Sequence, residues 1–113
     1  MRYMCLIYED EAAFQGLQDS DRNAIYDEYR KLGEALTKEG HFVSGSELAP
    51  TTTATTVRVR NGKAETTDGP FAETREQLGG FYIIEATDMK EAIGVAARIP
   101  SARSGAIELR KLV

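Results

Sequence analysis

The sequence carries one cysteine, Cys5, and one histidine, His41. A lone cysteine can form no internal disulfide, which fits a reducing cytoplasm. Cys5 also lies inside the apolar segment Tyr3–Tyr8. There a thiol reads as a small buried hydrophobe, not as an exposed nucleophile with a base beside it. One Cys and one His are too few for any of the tetrahedral zinc spacings. Carboxylates alone can hold Mg²⁺, but no acidic cluster suggests such a site. Gly79-Gly80 lacks both the Gly-x-Gly-x-x-Gly spacing and the following helix of a nucleotide loop. No metal and no organic cofactor is expected.

Long apolar runs are missing too. None approaches the 18 residues of a membrane span, and Met1–Tyr8 lacks the charged start and cleavage site of a signal peptide. An excess of basic residues is missing as well: 14 Lys and Arg face 18 Asp and Glu, a net charge of −4. Phosphate backbones need a dense basic face. The expectation is therefore a cytoplasmic protein that binds neither membrane nor nucleic acid. What remains is ordinary for a globular chain: 113 residues, 42% apolar and 28% charged. That suffices for one core and one domain spanning residues 1–113.

Periodicity orders that domain. Tyr3–Tyr8 is continuously apolar and too short for a buried helix, so it reads as a strand covered on both faces. Asp10–Leu17 has room for one irregular helical turn. Asp19 or Ser20 is a candidate cap for the next helix. Its apolar stripe is Ile25, Tyr29, Leu32 and Leu36, and Gly40 stops it. His41–Leu48 reads as a strand broken by Gly45. Thr55–Arg60 and Lys63–Thr67 flank Asn61-Gly62, a strong type I′ hairpin signal. Val57 and Val59 alternate with Arg58 and Arg60, which predicts a hairpin with one solvated face. Asp68-Gly69-Pro70-Phe71 is a turn. Gly79-Gly80 permits a bulge or a close backbone approach before the strand Phe81–Ala86. Asp88 and Glu91 have capping-box spacing. Met89, Ile93, Ala96 and Ala97 form the expected buried stripe of the second main helix, which Pro100 ends. Ala106–Leu112 is the last strand.

The order is β-α-β, an inserted hairpin, then β-α-β, the ferredoxin-like α+β pattern. Right-handed crossovers put both main helices on one face of the sheet. Tyr3, Cys5 and Ile7 point one way and Met4, Leu6 and Tyr8 the other, and Phe81 and Ile83 oppose Tyr82, Ile84 and Ala86. Both strands are thus apolar on both faces, so the face without helices is an apolar patch that soluble monomers rarely leave open. A homodimer packed sheet against sheet is expected.

The run Asp68-Gly-Pro-Phe-Ala-Glu-Thr-Arg-Glu-Gln-Leu-Gly-Gly80 resembles the DGPF branch of the YCII-related family. Similarity extends to Gly45–Pro50, Ala54–Arg60, Glu91-Ala92 and Ala96–Pro100, nearly the whole chain. The resemblance implies a ferredoxin-like domain that dimerises into an α/β barrel. It also implies, for some members, an association with sigma factors of the extracytoplasmic-function type. In another branch, a chloro-hydroxymuconate dehydrochlorinase uses a His-Asp pair whose His lies in the first helix. This chain has no His between Ser20 and Glu39, so that pair does not carry over. The branch's usual ending has Pro after the Arg matched by Arg110; here the residue is Lys111.

Residue chemistry offers two candidate catalytic groups, Asp68 and His41. Asp68 can close an Asx-turn through its backbone or act as a general base. His41 can cap a helix-to-strand junction or shuttle protons near neutral pH. Candidate substrate contacts are Arg75 and Glu73, able to grip a small anion or merely solvate a loop, with Phe71 and Tyr82 as walls. Tyr3, Tyr8, Tyr26 and Tyr29 fit core spacings and also suit a pocket. Two functions follow. One is a cofactor-free acid–base enzyme, lyase- or hydrolase-like, acting on a small anionic metabolite between subunits. The other is a non-catalytic binding or regulatory module with a sigma-factor link.

Overall fold

A computed structural model describes all residues, 1–113. Strand β1 (Arg2–Glu9) is followed by the short helix α1 (Glu11–Gln15) and the long helix α2 (Asp19–Lys38). Next come β2 (Phe42–Glu47), the hairpin strands β3 (Thr55–Arg60) and β4 (Lys63–Asp68), β5 (Gln77–Glu85), α3 (Met89–Ala96) and β6 (Ala106–Lys111). Four strands form one antiparallel sheet in the order β2-β5-β1-β6, and β3 and β4 form a separate two-stranded sheet. This is a mixed α+β chain whose strand order is compatible with the ferredoxin-like arrangement.

Alternation along β1 decides which residues meet. Tyr3, Cys5 and Ile7 are buried, while Met4, Leu6 and Tyr8 are half-buried. Register places Cys5 beside Tyr82 and Tyr3 beside Ile84, whereas Leu6 faces Phe81 and Met4 faces Ile83. One core cluster contains Tyr3, Cys5, Ile7 and Ile84 together with Leu32 and Leu36 of α2 and Ala92 and Val95 of α3. Both main helices therefore cover the same side of the sheet, as crossover handedness requires.

Local chemistry sets the boundaries, with several departures from expectation. Asp10 caps α1, its Oδ1 accepting from the Ala13 amide at 3.0 Å. The cap of α2 is Gln18, without a side-chain bond, and neither Asp19 nor Ser20. Asp19 is the first helical residue and pairs with Arg22, so its carboxylate favours the helix start by charge. Strand β2 runs unbroken through Gly45. A Cβ at that position would come within 2.2 Å of Tyr82 Cδ1, so the glycine is there for the neighbouring ring. Gly79-Gly80 lies inside β5, and the bulge is real: Ile7 pairs with Gly80 but Tyr8 with Leu78, leaving Gly79 unpaired.

In the hairpin turn, Asn61 has φ 51° and Gly62 φ 74°, the positive values a type I′ turn demands. The expectation of one solvated face fails, because both are solvated: Val57 and Val59 are 60% and 62% exposed. No other element covers them. The buried stripe of α3 is Ala92, Val95 and Ala96, and Met89 and Ile93 face outward. This helix is only eight residues long, and its short side chains are the ones that fit beneath it. Asp88 accepts from the Glu91 amide at 2.9 Å, and Glu91 returns the bond to Thr87. No helix is long and apolar enough to cross a membrane.

Candidate functional site

Helix α2 has a single apolar stripe, but its two halves have different fates. Leu32 and Leu36 are buried in the core. Ile25 and Tyr29, earlier on the same stripe, line a cleft of about 720 Å³ between α1, α2 and the β2–β5 edge of the sheet. That volume suits a small organic ligand. Its floor includes Gly45, Gly79 and Gly80. None of the three projects a side chain: Gly79 borders open space, Gly45 yields its place to the Tyr82 ring, and Gly80 lets the Ser46 carbonyl approach.

Aromatic rings stand on both sides of the cleft. Phe14 of α1 meets Tyr26 of α2 edge-on, with centroids 5.8 Å apart. Deeper in, Tyr29 and Tyr82 are tilted at 6.3 Å, and Tyr82 also packs on Phe42 at 5.7 Å. The polar groups are placed by hydrogen bonds. Tyr26 donates to Glu47 Oε1 at 3.0 Å. Tyr29 bonds the buried Ser101 hydroxyl, which fixes its ring. Glu11 accepts from the Thr51 amide and hydroxyl, each at 2.6 Å, while its own amide donates to Gln77 at 2.9 Å. Glu9 accepts from Ser104 at 2.7 Å.

The tyrosine hydroxyls are poor proton donors at neutral pH. Burial pushes Tyr29 up to about 12, with Glu9's charge adding to it against the Ser101 bond. Burial raises Tyr82, and burial followed by the Glu47 hydrogen bond raises Tyr26.

Of the six residues singled out from sequence, only Tyr82 lines this cleft. Asp68 ends β4 opposite Thr55 and is exposed; its side chain makes no hydrogen bond, and Gly69 N–H instead donates to the Ala54 carbonyl at 2.7 Å. Phe71 is 81% exposed, with the Arg58 guanidinium 5.7 Å from its ring centre. Glu73 and Arg75 are exposed in the following loop. His41 lies elsewhere, its Nδ1–H donating to the Glu85 carbonyl at 2.7 Å, with Glu91 at 3.9 Å. The fold therefore distributes Asp68, His41 and Arg75 over separate places on one chain. A smaller hollow of about 280 Å³, beside Pro70, Ala72, Tyr8 and Leu78, packs the Asp68–Glu76 turn region against the helix-free face of the sheet.

Tyr26 and Tyr29, which suited core and pocket alike, belong to the cleft, and Tyr3 belongs to the core. Sequence reasoning missed Glu47, Glu9, Glu11 and Gln77. The available signal was the glycines: one in β2 and two in β5, on paired strands, mark a floor without side chains.

The YCII-related domain family model matches residues 1–113. The chain belongs to that family. An uncharacterised protein of Rhizobium meliloti (strain 1021) is 32% identical over 114 residues, covering 99% of this chain and 92% of the relative.

Proposed function

We propose that this YCII-related protein is a small-molecule-binding module that works as a homodimer. The observation that carries the binding reading is the glycine-floored, aromatic-walled cleft with polar groups fixed at its rim. Binding is favoured over acid–base catalysis because no pair suited to proton transfer near neutral pH converges there. The only histidine stands before β2, bonded to the Glu85 carbonyl and outside the cleft, and the tyrosine hydroxyls are pushed upward. A sigma-factor link, as the family resemblance implies, fits a module of this kind, with ligand occupancy as the signal.

The dimer reading rests on the helix-free face. Met4, Leu6, Phe81 and Ile83 are half-buried there with no helix above them. A second copy brings the same apolar surface, and a two-fold axis makes it self-complementary. Pairing also offers neighbours to Phe71, Glu73 and Arg75, which are solvated on one chain. Light scattering after size exclusion is expected to give twice the chain mass, and a Leu6→Lys variant half of that. A wild-type monomer at high micromolar concentration would remove the dimer.

The binding reading is tested with a metabolite library and thermal shift. Hits should stabilise the wild type and lose their effect in Leu48→Trp, which places an indole at the cleft's edge. Hits indifferent to that variant, provided it melts normally, would locate binding elsewhere and defeat the proposal.

A further inference from the structure

The charges around the cleft divide unevenly once each is traced to its partner. Two cations reach it, Arg22 and Arg30. Arg22 is consumed at the α1–α2 junction, bonding the carbonyls of Gln15 (3.0 Å) and Leu17 and the carboxylate of Asp19. Arg30 is held on the outer surface of α2 between Asp27 at 2.6 Å and Glu34 at 2.9 Å. Three carboxylates also reach the cleft: Glu9, Glu11 and Glu47. Each is satisfied by neutral donors alone, and none has a cation within salt-bridge distance. Glu11 spends both oxygens on Thr51, whereas Glu9 and Glu47 each keep one oxygen without a protein donor. Both cations are paired with carboxylates of α2 that do not line the cleft, and the three carboxylates that line it have no cation within salt-bridge distance.

We infer that the cleft accepts an organic cation, an amine carried on an aromatic or aliphatic body, with Glu47 as its charge partner. This rests on the binding reading above and specifies its ligand class. The carboxylates do not form a group able to hold one metal ion, so the positive charge is not that of a chelated ion. The walls suit the same ligand. Phe14, Tyr26, Tyr29 and Tyr82 line the cleft and bring aromatic area to the ligand's body. The Tyr26 hydroxyl holds one Glu47 oxygen at 3.0 Å and thereby aims the other. An anion beside Glu47 would meet a carboxylate that has no ion-pair partner, a like-charge juxtaposition that disfavours it. The anion-gripping pair expected around Arg75 and Glu73 lies outside the cleft and is independent of this assignment.

Three probes of matched size test the charge: phenethylamine, phenylacetate and 2-phenylethanol, titrated calorimetrically into the wild-type protein. Phenethylamine should bind at least roughly tenfold more tightly than either of the others, as one charge-assisted hydrogen bond implies. Glu47→Gln should remove most of that preference while leaving 2-phenylethanol unaffected, and Leu48→Trp should weaken all three. Equal or tighter binding of phenylacetate or 2-phenylethanol, still blocked by Leu48→Trp, would overturn the charge assignment and leave the binding reading standing. No binding by any probe, or binding untouched by Leu48→Trp, would overturn both.

Discussion

The two halves of α2 lie over one sheet and continue one stripe, yet one half closes and the other gapes. Around Leu32 and Leu36, the sheet answers with Tyr3, Cys5 and Ile84, all 2% exposed or less. Around Ile25 and Tyr29, it answers with Gly45, Gly79 and Gly80. The difference lies not in the helix but in what the paired strands project. Gly79 leaves open space where a Cβ would stand, whereas Gly45 yields that place to the Tyr82 ring and Gly80 lets the Ser46 carbonyl approach. The cleft lies over these positions.

The sharpest way to break this comparison is to truncate the stripe at each end. Leu36→Ala should cost about 2–5 kcal/mol, because the surrounding core collapses only partly into the hole. Ile25→Ala should cost less than about 1.5 kcal/mol, since its side chain already borders open space. Urea unfolding of both variants measures the contrast, and equal losses would mean that the cleft is closed in solution.

A second change acts on the floor. Gly45→Ala forces a methyl group onto the Tyr82 ring, for which the ideal Cβ lies 2.2 Å from Cδ1. Overpacking of this kind should cost about 1–3 kcal/mol. Because the Tyr82 ring makes the nearest contacts, with the Phe81 carbonyl oxygen next at 2.9 Å, Tyr82→Ala in the same chain should return part of it. Additive losses in the double variant would place the strain in the backbone instead.

Burial in both halves also makes a prediction about alkaline pH. Burial pushes the Cys5 thiol up to about 11 from an ordinary value of 9.0, and Tyr29 up to about 12 from 10.0. The unfolded chain therefore releases these protons first, so it binds fewer than the folded chain in that interval. Stability is complete below about pH 9 and should decline as pH rises toward 12. Cys5→Ala should flatten the segment between 9 and 11. The same burial keeps the folded thiol unreactive toward a disulfide reagent at pH 8. Rapid labelling under native conditions would show that the core opens.

The smallest effect belongs to the hairpin. Val59→Thr should change stability by less than about 0.5 kcal/mol, because the residue is 62% exposed on the monomer. A larger loss that depends on protein concentration would identify β3–β4 as part of a contact between copies, which would sharpen the dimer reading.

Much of the fold was legible in the chain. Short continuous apolar runs located β1 and the end of β5, a period-3.6 stripe located α2, and Asn61-Gly62 announced its turn, because these signals are local. The stripe of α3 was misjudged because a short helix offers few positions and nearly all of its residues are apolar or small. Gly45 was read as an interruption, since a glycine seen in one dimension looks like a break. Only the register of β2 on β5 reveals the Tyr82 ring that needs the space. The site was the least legible part. Asp68, Arg75 and His41 attracted attention as chemically versatile types, but residue type does not say which side chains share a volume.

By itself, the sequence determined the element order, the antiparallel core strands, the two-faced apolar character of β1 and β5 and the family. Each follows from nearest-neighbour periodicity, turn stereochemistry or a contiguous motif. The tertiary structure decided where the layers fail to touch, which carboxylates lack a cation and which tyrosines face a void. These are properties of residues far apart in the chain, such as Tyr26 with Glu47, 21 positions apart, and Tyr29 with Ser101, 72 apart. They exist only once strand register and helix placement have fixed the distances between them.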